Sequence, residues 1–334
     1  MEIRKIWDKT EQEEYALCRI PGILVTSRGT LIIYGEARKS TSDWALMDIV
    51  MCTSENGGVS FSAPIHLARG TEEHPTVNNP VMAEDACGKL HFLYCEDYGT
   101  CGGRILHRTS ADDGKTFGKE RDITHATLPE YRNVFALGPG HGICTSKRTL
   151  VFPFWLVPKK FRSPVRAHTP SEVGLLCSMD GGKTWRTSEL LRSGEEIFSP
   201  NESVAAELPN GEIYLSVRHN AFYRAHAVAE SEICAFREFR PDFELTDPIC
   251  FGSVAVLGEK LLFVNCENAK NRKNITLKAS TDGGKTWSAR KVIDEERGGY
   301  ADIAADTKNG KIYILYENNF GAELYLAVLD EDEI

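Results

Sequence analysis

An eight-residue pattern, Ser-x-Asp-x-Gly-x-Thr followed by Trp or Phe, occurs three times in this chain, at Ser110–Phe117, Ser178–Trp185 and Ser280–Trp287. A fourth copy, Ser54–Phe61, keeps the shape with Asn56 for Asp and Ser60 for Thr, and Ser231–Phe239 stands where a fifth is due but lacks the Asp and the glycines. A returning pattern of this kind is read before any single segment, because it means an arrayed architecture. Its residues explain the shape. An Asp can accept backbone N–H groups across a tight Gly-rich turn while the aromatic packs beneath. The repeated Asp112, Asp180 and Asp282 are therefore read as structural; they lack the ligand set of a calcium loop.

A second repeat runs between the first. A turn residue precedes a short apolar strand at Gly29, Gly88, Arg148, Gly211, Gly258 and Gly310, at steps of 59, 60, 63, 47 and 52 residues. These are hairpin turns inside β-rich units, and helical periodicity is nearly absent. Six such units predict an all-β fold, a six-bladed β-propeller of four-stranded antiparallel blades. The chain is read as a single domain over residues 1–334, with no separate carbohydrate-binding module.

Composition excludes several classes. The net charge of −9 and the lack of a Lys/Arg-rich block argue against nucleic-acid binding. The longest apolar run, Leu150–Val157, contains Pro153 and is too short for a membrane span. Met1–Glu14 is charged and lacks the apolar stretch of a signal peptide. The ten cysteines form no CxxC pair and no Cys/His cluster at zinc spacing, so free thiols, a cytoplasmic location and no metal or cofactor are expected. The sequons at Asn201 and Asn274 overlap the candidate site residues named below; glycans there would obstruct them, which also argues against an ER route.

The two repeats together place side chains. In a four-stranded blade the Asp-containing turns join strands 3 and 4 at one end. The other end gathers the start of strand 1, the end of strand 2 and the 2–3 loop. Arg19, Glu202 and Tyr300 lie nine or ten residues before hairpin glycines, and Glu36, Arg218 and Glu317 lie seven after them. Asp43 and Arg272 fall in 2–3 loops. Ionisable and aromatic residues from four blades thus converge on one mouth of the hub.

In order along the chain, Arg19-Ile20-Pro21, Glu36-Ala37-Arg38 with Asp43, Gly138–Gly142, Asn201-Glu202-Ser203, Ser216-Val217-Arg218, Arg272-Lys273-Asn274, Gly299-Tyr300-Ala301-Asp302 and Tyr316-Glu317 resemble the sialidase (neuraminidase) superfamily with its Asp-box repeats. The resemblance implies a retaining exo-α-sialidase acting on sialylated glycans. It implies that Arg19, Arg218 and Arg272 grip a substrate carboxylate, a task suited to the rigid donor fork of guanidinium. Glu317 would hold Arg19, and Arg38 would contact substrate or orient Asp43. Tyr300 and Glu202 would be nucleophile and base, and Asp43 the acid/base. Taken singly, each Arg is more often a surface ion pair, Tyr300 a buried phenol and Asp43 a solvated loop residue. Asp48 is a strand residue to be set apart from Asp43. Asn79-Pro80, Cys95 and Trp155 are candidates either for the pocket wall or for the core, and Pro158–Pro170 for an overhang or a solvated loop. The alternatives are a related 2-keto-3-deoxy sugar acid, transfer instead of hydrolysis, and a non-catalytic sialic-acid-binding propeller.

Overall fold

The computed structural model describes residues 1–98, 103–161, 168–231 and 234–334. Among these residues the strands form six antiparallel sheets. Five follow the chain, with innermost strands Leu17–Val25, Val77–Glu84, Arg132–Leu137, Ser203–Glu207 and Ser253–Leu257. In the sixth, Ala301–Asp306, Lys311–Asn318 and Glu323–Asp330 are completed by the N-terminal strand Glu2–Asp8. The wheel is thus closed by pairing the two ends of the chain, Glu2 opposite Val328 and Asp8 opposite Glu323. The six-bladed reading holds.

Burial follows the radius. Second strands such as Leu31–Arg38 and Leu150–Pro158 are buried at every position. They are covered on both faces by neighbouring blades, so their sequences run apolar instead of alternating. The outermost strand Ala235–Thr246 is buried only at Asp242 and Leu245.

The Asp-containing turns lie between third and fourth strands. Ser110 donates its hydroxyl to Asp112 Oδ1 (2.8 Å), the Gly114 N–H donates to Ser110 Oγ (2.9 Å), and the Thr116 N–H donates to Asp112 Oδ1 (2.8 Å). Asp180 and Asp282 accept the corresponding bonds from Thr184 and Thr286, at 2.8 and 3.0 Å. Gly114, at φ +84°, occupies the left-handed region that the turn demands.

The expectation of free thiols fails at one place. Cys177, on the third strand of the third blade, is joined as a disulfide to Cys234, at the foot of the fourth. The sequence gives no spacing signal for a pairing across 57 residues.

The hub is crossed by Gly138–Gly142, which interrupts the innermost strand of the third blade. Gly140 O accepts from the Tyr34 hydroxyl (2.8 Å), the Gly142 N–H donates to Met82 O (3.0 Å), and Gly138 O accepts from the Ser203 N–H (3.1 Å). Below it, the fully buried Asp302 accepts from the Ile23 N–H (2.9 Å) and the Ser253 hydroxyl (2.6 Å) and pairs with His141 Nδ1 (2.9 Å). One carboxylate therefore ties four blades together beneath the mouth. Burial opposes a charge on His141, but Asp302 outweighs it and raises the imidazole above its usual value.

Candidate active site

The mouth is built on irregular backbone. The first innermost strand pairs Arg19 with Glu36, then slips register before Gly22, with Ile20 at φ +56°. The second blade repeats the device, slipping between Asn78 and Val81 with Asn79 at φ +51°. Each slip contains a proline, Pro21 or Pro80, which cannot donate to the ladder. Such bulges re-aim a side chain, and each is fixed here by a carboxylate from the preceding blade. Glu317 Oε1 accepts the Ile20 N–H at 2.9 Å, and Glu36 Oε1 accepts the Asn79 N–H at 2.7 Å. Glu36 and Glu317 hold equivalent positions at the ends of second strands. Burial pushes the Glu36 carboxyl up, against the pull of Arg38 and the Asn79 N–H.

Glu317 also binds Arg19 through Nε and Nη2, both at 3.3 Å. The Arg19 guanidinium lies 5.2 Å from the centre of the Tyr300 ring, and that of Arg272 lies 5.4 Å from it. The Tyr300 hydroxyl donates to Glu202 Oε1, while Arg218 Nη1 donates to Tyr300 Oη at 2.9 Å and pairs with Glu202 Oε2. Burial and the Glu202 charge push the Tyr300 phenol well above its ordinary value, although all three arginines pull it down. The phenol oxygen is thus held between the Glu202 carboxylate and the Arg218 guanidinium.

Asp43 sits opposite, half-exposed in its loop. It accepts from Arg38 Nη1 at 2.5 Å, and Arg19 Nη1 lies 3.7 Å away. Arg38 also grips Glu36 through Nε at 2.8 Å, so the acid loop is tied to the same frame. Burial alone would raise Asp43, but the charges of Arg38 and Arg19 outweigh it and hold the carboxyl below the usual range. All eight named residues, Arg19, Arg38, Asp43, Glu202, Arg218, Arg272, Tyr300 and Glu317, therefore join one network. Asp48 lies apart, accepting from the Tyr15 hydroxyl (2.7 Å) and the Gly70 N–H (3.1 Å).

An aromatic wall adjoins Asp43 that the sequence reading missed in part. Trp44 stacks on Tyr98 with ring centres 4.8 Å apart, and Trp155 meets Tyr98 edge-on at 6.4 Å. His168 completes it, 3.3 Å from the Tyr98 hydroxyl. Trp155 and Cys95 both lie in the same buried core cluster, and Trp155 meets the wall only through Tyr98 and His168. Trp44 was detectable as the neighbour of Asp43. Tyr98 and His168 follow no repeat offset. Of the insertion Pro158–Pro170, residues 162–167 lie outside the described residues. Asn201 and Asn274 border the site, and both amides donate within the protein, to Ser171 Oγ at 3.3 Å and Glu267 O at 2.9 Å.

Among the described residues, His74, Glu96 and Asp97 bring potential metal-ligand atoms within 4.8 Å of one another. His74 Nδ1 lies 2.7 Å from Asp97, and Arg104 pairs with Glu96 at 2.5 Å. Their charges are balanced within the protein, and the group reads as an ion-pair cluster.

A family model for the BNR repeat-like domain matches residues 65–314. The chain belongs to that family. This BNR-repeat protein falls within the sialidase superfamily, as its motifs imply. It is 27% identical to a sialidase of Bacteroides fragilis over 96% of its own length, and it spans 63% of that relative. It is also 27% identical to an exo-alpha-sialidase of Aspergillus fumigatus, over 93% of this chain and 82% of the relative. Among solved structures, the Hadza microbial sialidase Hz136 superposes with a TM-score of 0.83 at 23% identity, covering 96% of this chain and 67% of that one. The intramolecular trans-sialidase of Ruminococcus gnavus gives 0.80 at 15% identity, covering 99% and 97%. At these identities the two structures speak to the fold alone.

Proposed function

We propose that this protein is a retaining exo-α-sialidase that removes terminal sialic acid from glycans through a tyrosyl-enzyme intermediate. One observation carries the reading: the Tyr300 hydroxyl donates to Glu202 while Arg218, Arg19 and Arg272 surround the same phenol. Three guanidinium groups around one point call for an anionic ligand. A sialic acid carries its carboxylate on the anomeric carbon, where it would repel a carboxylate nucleophile. A neutral phenol avoids that repulsion, and use of Tyr is a known departure from the two-carboxylate scheme. It needs a base, which Glu202 supplies.

In the first step Tyr300 Oη attacks the anomeric carbon, its proton passes to Glu202, and the bond to the aglycone oxygen breaks as Asp43 protonates that oxygen. In the second, water attacks the same carbon, Asp43 takes the water proton, and the bond to Oη breaks as Glu202 returns its proton. Substrate binding prepares the acid. A substrate carboxylate that neutralises Arg19 removes one of the charges holding Asp43 down, so its proton affinity rises when it must donate.

The test is trapping. Incubation with 2,3-difluorosialic acid, followed by peptide mass spectrometry, should place a sugar adduct on the peptide containing Tyr300. An adduct on another residue, or Tyr300→Phe protein that keeps wild-type turnover, would discard the mechanism. Proton NMR should show the α-anomer as the first product.

A further inference from the structure

Two of the three site arginines are held by carboxylates, Arg19 by Glu317 and Arg218 by Glu202. Arg272 differs. Its Nη2 donates at 3.4 Å to the carbonyl of Ile249, and no carboxylate among the described residues pairs with it. Ile249 is itself left-handed, at φ +56°. A β-branched residue is an outlier there, and it persists only where its surroundings impose it. The placement of Arg272 therefore depends on whatever fixes residues 247–252. That segment joins the outer strand of the fourth blade, Ala235–Thr246, to the inner strand of the fifth, Ser253–Leu257.

The group that fixes it is Arg224, fully buried on the third strand of the fourth blade, Tyr223–Glu230. Its Nη1 donates to Cys250 O at 3.0 Å and pairs with Asp247 Oδ2 at 3.4 Å. Its Nη2 donates to Ser216 Oγ at 3.1 Å and to Gly252 O at 3.5 Å. Asp247 Oδ1 in turn accepts the Cys250 N–H at 2.8 Å. Both backbone polar groups of the residue after Ile249 are thus fixed by one ion pair, a task that suits the planar fork of a guanidinium. The arrangement is costly. A buried charge is expensive to desolvate, and Arg224 Nε has no hydrogen-bond partner among the described residues. A connection that needed only closing could be tied by neutral groups, as Asn265 already ties Thr246 O at 2.8 Å. The same segment carries Phe251, fully buried with its ring centre 5.7 Å from that of Tyr300. We infer that Arg224 is a positioning residue of the site. Through residues 247–252 it sets Arg272 against the substrate carboxylate and Phe251 against Tyr300, without touching substrate itself. This inference rests on the sialidase reading above.

The test is a double-mutant cycle read by titration calorimetry with 2,3-dehydro-2-deoxy-N-acetylneuraminic acid, a non-hydrolysable ligand that keeps the carboxylate. In Arg224→Met its Kd should rise about tenfold. Arg224→Lys keeps a cation beside Asp247 but lacks the second arm, and should raise Kd about fivefold. In an Arg272→Ala background each substitution should change Kd by less than about twofold, because the contact being positioned is gone. Should Arg224→Met not fold, as judged by circular dichroism, Arg224→Lys decides. A purely structural Arg224 would lower Tm and the binding-competent fraction while leaving Kd of the folded protein as it is. An unchanged Kd in folded Arg224→Lys, or equal rises in both backgrounds, would overturn the positioning role and leave the sialidase reading intact. Wild-type protein that binds this compound but hydrolyses no sialoside would overturn the sialidase reading alone. Wild-type protein that does not bind it would overturn both.

Discussion

The two ends of the wheel use the same residue types in opposite ways. At one end Asp112, Asp180 and Asp282 are satisfied by groups two to four residues away, and the Thr116 and Ser110 bonds lower Asp112 to about 2. At the other end the partners are remote: Glu317 holds Arg19 across 298 positions, and Glu202 meets Tyr300 across 98. A carboxylate satisfied locally shapes its own turn and nothing else. One whose partner comes from another blade reports on assembly of the whole ring, and the mouth joins such groups to Asp43, which its own blade holds through Arg38. The lesson is that sequence distance between partners separates turn-forming contacts from ring-spanning ones more cleanly than residue type.

Mutations can break this contrast, beginning where the effect is greatest. Tyr300→Phe should lower kcat by about 10⁴-fold or more with the fold intact by circular dichroism, since on the proposed mechanism the nucleophile itself is lost. Next, Asp43→Ala should cost about 10³-fold on a sialyl-lactoside and far less on an activated aryl glycoside whose leaving group needs no proton. Asp43 also fixes a pH signature. On the proposed mechanism, activity on the lactoside requires its protonated form, and Arg38 and Arg19 lower its pKa in the free enzyme. The alkaline limb of kcat/KM should therefore lie at lower pH than that of kcat, where bound substrate has neutralised Arg19. Arg218→Ala comes third, at about 10²-fold in kcat/KM, because it leaves Glu202 without its charge partner.

Smaller effects belong to the scaffold. His141 has a raised folded pKa, so its pairing with Asp302 stabilises the protein fully at pH below the unfolded imidazole value. That contribution is lost as pH rises through the folded value. The stability gap between wild type and His141→Asn, measured by urea unfolding, should narrow with rising pH; a gap independent of pH would remove the ion pair from the account. Smallest of all, Asp282→Ala should lower Tm by about 2–4 °C and leave kcat/KM within about twofold.

Much of this was legible in the sequence because the blades repeat. Offsets from hairpin glycines located Arg19, Glu36, Glu202, Arg218, Tyr300 and Glu317 at strand ends, since a period-two strand of fixed length carries position along the chain into position in space. What escaped notice has no such ruler. Tyr98 and His168 stand in loops, where length and path vary from blade to blade. The clamp on Asp302 and the bulges at Ile20 and Asn79 depend on which blade presses against which, and the Cys177–Cys234 bond joins different blades. Such contacts are properties of the closed ring.

Closure by Glu2–Asp8 has a consequence for folding order. The sheet that supplies Tyr300 and Glu317 borrows its rim strand from Glu2–Asp8, so that blade is finished only after this strand has paired with Glu323–Asp330. Until then Glu323–Asp330 presents an unpaired edge, open to pairing with another chain. Catalytic competence and protection from aggregation should therefore arrive in the same kinetic step, the last one.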